Sequence, residues 1–225
     1  MSPTAPSFSM DELGNDLLVM TEYAGQTQLP MVNWDQTLGV KLAVQHLAEL
    51  GHRQILWLGP ESQTESSSYR VREQLFVTAA WDAGLRGASC RFTNSPDFGP
   101  FPAEKWSDSA SGALGQYISE RGKNTFSAIL CYNDVTALGA YRALRSAGLS
   151  VPEDISVVGF DNIEAPLLIP KLTTVDHMLH EMGRRATDML LEAAKNPTHW
   201  SEWQGRREII APELIVREST RAVRS

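Results

Sequence analysis

Short apolar runs alternate with helix-like stretches from residue 17 almost to the end of the chain, and this alternation constrains the fold more than any other feature of the sequence. The runs 17–23, 54–59, 127–132 and 155–160 are apolar nearly throughout. Between them, stretches such as 36–50 space their apolar residues as an amphipathic helix does. Apolar strands that are separated by helices are typical of parallel sheets covered on both faces. The sequence therefore predicts an α/β fold with parallel sheets flanked by helices.

Polar residues stand at the predicted carboxyl ends of these strands, which is where open parallel sheets bind their ligands. At these ends, or at the helix start that follows, the sequence places Glu22, Arg72, Asn133, Asp134 and Asp161. An arginine at the start of a helix is mildly unfavourable because it opposes the helix dipole, so Arg72 indicates an anionic or polyhydroxyl partner. These five residues are the first candidates for a ligand site.

The local patterns around these candidates leave several interpretations open. In AILCYNDVTALGA, an apolar strand ends in Asn133 and Asp134, and because both are good helix caps the pair fits a catalytic site, a ligand contact or a cap. Asp161 follows VVGF and fits a ligand contact or a turn. Trp106 precedes SDSAS, which is typical of a helix start, so we expect its ring to project from a loop. There the ring either stacks on a sugar or packs on its own lobe.

The sequence lacks the usual signatures of enzymes and of metal sites. It contains no G-x-S-x-G, G-x-x-x-x-G-K-[ST] or G-x-G-x-x-G motif, and we expect no histidine at a strand end to serve as a base. Its two cysteines form neither a metal cluster nor a disulfide framework, and HMLHE matches neither order of the zinc-enzyme motifs. We therefore expect a protein that is not an enzyme and that needs no metal and no cofactor.

Charge and hydrophobicity argue against two further classes of protein. The formal net charge is −7, whereas binding to nucleic acid requires a basic face, so we do not expect this chain to hold DNA by itself. No stretch approaches the ~20 apolar residues of a membrane span. The first residues lack the basic and apolar regions of a secretory signal, so we expect a cytoplasmic protein.

The longest continuous pattern, from NDVTALGAYRALRSAG through VPEDISVVGFDN to LTTVDHMLHEMG, resembles the effector-binding core of the LacI/GalR (lactose-repressor) family of bacterial transcription regulators. The resemblance continues in AVQHLAELGHRQILWLGP, in the pair Arg72 and Phe76, and in ELIVREST. It runs in order over about residues 17–221. Two small departures are Leu75, where the family usually has glycine, and Trp34, in the segment that leads into the first helix.

This resemblance implies a two-lobed fold of periplasmic-binding-protein type I, with the ligand in the cleft between the lobes. The family's three crossovers are expected near residue 50, near residue 175 and after residue 195. Residues 1–50 and 176–195 then form the N-terminal lobe, and residues 51–175 and 196–225 form the C-terminal, effector-binding lobe.

The resemblance also implies a set of effector contacts. Arg72, Asn133 and Asp161 match the family's polar contacts in the second lobe, and Trp106 matches the aromatic position that stacks on a sugar or a base. Glu22 fits a contact from the first lobe, across a gap in the alignment. Asp134 then remains mainly as a helix cap, and the expected effector is a sugar or a nucleoside.

The family's N-terminal helix-turn-helix and hinge helix have no counterpart in this sequence, and we expect the first lobe to be truncated by roughly two strand–helix units. The resemblance implies a ligand-sensing domain that forms a homodimer and that, in an intact regulator, controls binding of operator DNA through such a headpiece. A free-standing carbohydrate-binding protein of the transport class and a truncated remnant stay open as alternatives.

Overall fold

The computed structural model describes residues 20–21, 30–61, 68–93, 103–195 and 202–223. Its strands are β1 (Met20–Thr21), β2 (Met31–Trp34), β3 (Gln54–Pro60), β4 (Arg86–Phe92), β5 (Ala128–Cys131), β6 (Ser156–Phe160), β7 (Thr173–Asp176), β8 (Arg207–Ile210) and β9 (Glu213–Ile215). Its helices are α1 (Gln36–Glu49), α2 (Ser68–Asp82), α3 (Ala103–Arg121), α4 (Asp134–Ser146) and α5 (Leu179–Ala194). Over these ranges, none of the helices has both the length and the hydrophobicity that crossing a membrane requires.

The strands form two sheets. The larger sheet has the order β4-β3-β5-β6-β7-β9 and is parallel except for β9, which runs antiparallel to β7. The smaller sheet has the order β1-β2-β8, and both of its pairs are parallel. The predicted α/β class with parallel sheets is confirmed.

Helices cover both faces of the six-stranded sheet. Successive residues of a strand face opposite ways, so Trp57 and Leu130 belong to one buried apolar cluster, while Leu58 and Ile129 belong to the other. The first cluster also contains buried apolar residues of α1 and α2, and the second contains buried apolar residues of α3 and α4. Burial on both faces explains why these strands are apolar throughout.

Helices α3 and α4 cross at very short distance beside Gly139. A Cβ atom at this position would lie 2.5 Å from the backbone carbonyl oxygen of Ser107, so only glycine allows the crossing. Trp106 precedes Ser107 in α3. The crossing therefore brings Trp106 next to the first turn of α4.

Two elements lie in a different lobe from the one that the sequence predicts. Helix α1 contacts α2 and the strands β7 and β9 of the larger sheet, although residues 1–50 were expected in the first lobe. Strand β8 pairs with β2 along its whole length, although residues 196–225 were expected in the second lobe. The reason is that the apolar stripe of α1 is buried by the larger sheet, while β8 supplies a parallel partner for β2.

Among the described residues, three segments consequently join the two sheets: from β2 to α1, from β7 to α5, and from β8 to β9. Helix α5 packs against β1 and β2 of the smaller sheet. The first two segments contain Trp34 and His177, the residues that end β2 and follow β7. Both side chains lie next to the candidate site.

Candidate functional site

The carboxyl ends of β5, β6 and β7 meet the first turns of α2 and α3 at one edge of the larger sheet. Arg72 of α2 connects the ends of β5 and β6, because it contacts the residue before Asn133 and the residue before Asp161. Its Nη1 donates to the carbonyl oxygen of Tyr132, which precedes Asn133 (2.8 Å). Its guanidinium carbon lies 4.9 Å from the ring centroid of Phe160, which precedes Asp161. The structure thus brings Arg72, Asn133 and Asp161 to the same edge.

Arg72 is a buried cation with few polar partners. The residue is only 5% exposed, and its guanidinium carbon also lies over the rings of Tyr132 and Trp34, at 4.5 and 5.1 Å from their centroids. Among the described residues, its Nε has no hydrogen-bond partner. A guanidinium carries five N–H donors, and leaving a buried donor without an acceptor costs about 1–3 kcal/mol. Arg72 is therefore able to donate to an acceptor that the described part of the chain does not supply.

Asn133 is the N-cap of α4, which corrects the expectation that Asp134 has this role. Its Oδ1 accepts hydrogen bonds from the backbone N–H of Thr136 (2.8 Å) and from the Thr136 hydroxyl (2.7 Å). Its extended backbone is the usual N-cap conformation. Over the described part of the chain, its Nδ2 makes no hydrogen bond, so capping uses the acceptor of this amide and leaves its donors for another group.

Asp134 turns away from this edge into the protein. Its carboxylate is fully buried and accepts hydrogen bonds from the backbone N–H groups of Ile163 and Ala165 and from the Thr174 hydroxyl. Burial raises the pKa of Asp134 to about 6, although these three donors favour the ionised form. The role of Asp134 is to hold the loop that follows β6.

Trp106 lies in the first turn of α3 and not on a loop, because the helix begins at Ala103. Its Nε1 donates to the hydroxyl of Thr136 (2.8 Å), and that hydroxyl donates to Asn133. Its ring centroid lies 5.8 Å from that of Tyr69 and 6.0 Å from that of Tyr132. The ring is half-buried in this aromatic cluster, and the hydrogen bond orients it toward the cap of α4.

Asp161 has an unusual backbone for a residue with a side chain. Its φ is 105°, and such conformations cost about 1–3 kcal/mol and are concentrated at functional sites. Its Oδ1 lies 3.5 Å from Nε2 of His177. The next residue, Asn162, supports this geometry by donating to Asp176 (2.8 Å) and accepting from Arg217 (2.6 Å).

His177 follows β7 directly, which contradicts the expectation that no histidine lies at a strand end. It is nearly fully buried, and its ring packs edge-on against Trp34 at 5.0 Å. Burial and the positive charge of Arg72 lower the pKa of His177 to about 4, so the imidazole is neutral at pH 7. Beside Asp161 it contributes a polar, uncharged ring to the site.

Four residues of this site were missed in the sequence: Trp34, Tyr69, Tyr132 and His177. The rule that selected Asn133 and Asp161 also selects His177 once the short strand TTVD is recognised. Tyr132 had a weaker signal, because the last residue of an apolar run is expected to be core. Glu22, the predicted contact from the first lobe, lies outside the described residues.

In the described part of the chain, neither a metal site nor the best-defined cavity involves the predicted site residues. Over the residues described, no group of three His, Cys, Asp or Glu side chains could hold a metal ion. A cavity of about 550 Å³ lies beside α2 and the edge strand β4, with Glu73 and Arg91 in its lining. No residue of the predicted site lines this cavity.

The chain matches a known family over most of its length. Residues 44–220 match the family described as periplasmic binding protein-like domain. The HTH-type transcriptional repressor PurR of Photobacterium profundum is 34% identical over 184 residues, which are 81% of this chain and 50% of that repressor. The chain thus spans about half the length of this curated relative.

Two solved structures with related sequences share the fold. The lac repressor dimer bound to operator and the anti-inducer ONPF has a TM-score of 0.75 and 27% identity, over 94% of this chain and 68% of that one. The LacI family regulator of Arthrobacter sp. FB24 in complex with lactose has a TM-score of 0.75 and 25% identity, over 93% of this chain and 73% of that one.

Proposed function

This chain belongs to the periplasmic binding protein-like family and has the effector-binding core of the LacI/GalR transcription regulators, and we propose that it binds a sugar- or nucleoside-class effector beside Arg72. In this role it is the ligand-sensing domain of a cytoplasmic transcription regulator. The observation that carries the proposal is Arg72 itself, a buried guanidinium at the edge where the strand ends meet, whose Nε has no acceptor among the residues that the structure describes.

The surrounding groups suit a ligand with hydroxyls and a flat face. The Nδ2 of Asn133 is a donor and the carboxylate of Asp161 is an acceptor, and such groups recognise hydroxyls. The rings of Trp106 and Tyr132 offer apolar area to a sugar or a base. A small number of placed polar groups in an aromatic setting is typical of sites for small molecules.

Sensing rather than catalysis is the role that the relatives support. The relatives that the chain matches are transcription regulators rather than enzymes. We propose that the effector shifts the geometry of the two lobes through the segments around Trp34 and His177, which adjoin the site. In an intact regulator this shift would change operator binding, since a ligand acts through its differential affinity for two states.

The proposal is tested by a thermal-shift screen with D-ribose, lactose, adenosine and cytidine. We expect at least one probe to raise the melting temperature of the wild type and Asn133→Asp to weaken that ligand by at least about tenfold. Aspartate caps a helix as well as asparagine does, so this variant keeps the cap while it replaces the Nδ2 donor with a charged carboxylate oxygen.

Two tryptophan variants provide the matched comparison. Trp106→Ala should abolish the ligand-induced shift, whereas Trp81→Ala, which removes an 82% exposed ring from α2, should leave it unchanged. A shift that survives in both Asn133→Asp and Trp106→Ala would reject this site. A screen in which no probe stabilises the wild type would reject the sugar- and nucleoside-class effector.

We also propose that the chain forms a homodimer through an apolar surface on the loop that follows β6. Leu167 and Ile169 of this loop are 79% and 92% exposed, and a group of exposed apolar side chains marks an association site. Leu138 of α4 is also exposed. It continues the surface, because Tyr141, one turn further on, donates to the carbonyl oxygen of Pro170 (3.0 Å). We call the four exposed side chains Leu138, Ile163, Leu167 and Ile169 the apolar loop surface.

Charge placed on the apolar loop surface should break the dimer. Ile169→Glu is expected to raise the monomer–dimer dissociation constant at least about tenfold, because a carboxylate cannot be buried without a partner. Sedimentation velocity measures this constant. Leu191→Glu, on an exposed position of α5, should leave the constant unchanged, and a dimer that tolerates Ile169→Glu must use another surface.

A further inference from the structure

Asp134 stands between the candidate effector site and the apolar loop surface. It is the first residue of α4, and the residue before it, Asn133, is the cap that faces the site. Its Oδ2 accepts both loop hydrogen bonds, from the N–H of Ile163 at 2.9 Å and from that of Ala165 at 3.0 Å. One oxygen atom thus ties the loop to the first turn of α4.

The Asp134 carboxylate has no room to change its orientation. Its Oδ1 accepts from the Thr174 hydroxyl at 2.7 Å, and a Cβ at Gly159 would lie 2.6 Å from the same oxygen. The whole residue is inaccessible to solvent, so water cannot replace a lost donor. A displacement of the first turn of α4 must therefore move the loop or break buried hydrogen bonds, each of which is costly.

The tied loop carries the exposed residues of the apolar loop surface. Beyond Ala165, the N–H of Leu167 donates to the carbonyl of Glu164, and the carbonyl of Ala165 accepts from Leu172. Leu167 and Ile169 lie between Ala165 and Leu172, which this second hydrogen bond joins. The position of Ala165 consequently controls how both side chains are presented to a partner.

We propose that Asp134 is a positioning residue that couples the effector site to the apolar loop surface. The coupling rests on the proposed function, since it needs an effector that engages Asn133 and a partner at the loop. A ligand that displaces the cap moves Asp134, which is one residue away, and Asp134 passes the movement to the amides of Ile163 and Ala165. Asn133 has no direct hydrogen bond to this loop that could transmit the movement instead of Asp134, because within the described residues its side chain bonds only to Thr136.

Hydrogen exchange of the full chain, read at the amides of Ile163 and Ala165, tests the coupling without a ligand. Asn133→Ala imitates a disturbed cap, and loss of a cap costs about 1 kcal/mol, so exchange at both amides should accelerate roughly fivefold. Asp134→Ala should accelerate exchange further, and Asn133→Ala should then add nothing at these amides. Asp134→Asn, unlike Asp134→Ala, should leave exchange at the wild-type rates, because an asparagine oxygen can accept both loop hydrogen bonds.

Two results would overturn the coupling. One is unchanged exchange at Ile163 and Ala165 in Asn133→Ala, a comparison that needs no Asp134 variant and so survives if Asp134→Ala does not fold. The other is an effect of Asn133→Ala that persists in full beside Asp134→Ala. Asp154→Asn, which weakens a remote exposed carboxylate bond to Ser150, is the control and should leave the loop unchanged. A chain that is monomeric by sedimentation would reject the dimer surface but leave this exchange measurement valid.

Discussion

Replacing Arg72 with methionine is expected to abolish effector binding and, at the same time, to stabilise the unliganded chain. Arg72 is buried, and among the described residues its contacts are one carbonyl oxygen and three aromatic rings, with no carboxylate. Replacing buried charges with apolar groups of similar volume can be stabilising by about 1–4 kcal/mol. Hydrogen bonds from a charged donor contribute about 1.5–3 kcal/mol each, so losing two of them weakens a ligand by at least about a hundredfold.

Chemical denaturation and the thermal-shift screen measure these two effects separately. Arg72→Lys should keep the charge and weaken binding less, because a single ammonium cannot reproduce the planar fork of the guanidinium. Arg91→Met is the matched control, since it removes a half-exposed arginine that pairs with Glu73 at 2.8 Å. A methionine variant that binds as tightly as the wild type, or that unfolds more easily, would show that Arg72 serves the fold rather than a ligand.

The opposite signs of these two effects also explain why Arg72 could be selected from the sequence. The sequence placed Arg72 at the start of a helix, where a cation is disfavoured, but in the structure it is the fifth residue of α2. The preference that it does violate is burial, since the interior disfavours a cation, and such a violation indicates a functional demand. Asp161 has the same character, because its φ of 105° is costly for any residue with a side chain.

Those parts of the fold that depend on local pattern were predictable. The stretch QILWLG lies within β3, and the run 155–160 contains β6, because strands buried on both faces must be apolar throughout. The edge that carries Arg72, Asn133 and Asp161 followed from this assignment, since parallel strands bring their carboxyl ends together. The resemblance then added the family.

Features that depend on one residue of register, or on packing between distant elements, were not predictable. Asn133 and Asp134 are both capable caps, and the structure distinguishes them only because the extended backbone falls on Asn133. Trp106 was expected on a loop since Ser107 and Asp108 are typical of a helix start, but α3 begins four residues earlier. The lobe of α1 depends on which sheet buries its stripe, and the sequence of α1 does not specify this.

His177 was missed for a related reason and leads to a prediction about pH. Its strand, TTVD, is short and partly polar, and its buried threonines bond to other side chains, such as Thr174 to Asp134. The ring then lies where two crossover segments meet, against Trp34 and near Asp161. Protonation there would place a second cation beside Arg72.

We therefore expect His177→Gln to remove a large part of the acid sensitivity of the fold. The pKa of His177 is lowered from 6.5 to about 4, so between these values the unfolded chain binds a proton that the native chain does not. Stability from this residue is fully present above pH 6.5 and is lost as the pH falls to about 4, and the loss amounts to about 3 kcal/mol. Urea denaturation from pH 4 to pH 8 should show a shallower acid decline in the variant.

The comparison must be a difference between two curves, because other groups titrate in the same range. Asp134 acts in the opposite direction, since its raised pKa of about 6 makes the native chain gain stability as the pH falls through this value. His46 and His52, whose pKa values burial lowers, act in the same direction as His177. Subtracting the His177→Gln curve from the wild-type curve removes all three contributions.

His180→Gln, at an exposed position three residues further on, should reproduce the wild-type curve. A difference curve for His177→Gln that is flat from pH 4 to pH 6.5 would mean that this imidazole already carries its proton in the native protein, and the argument for a neutral ring beside Arg72 would fail.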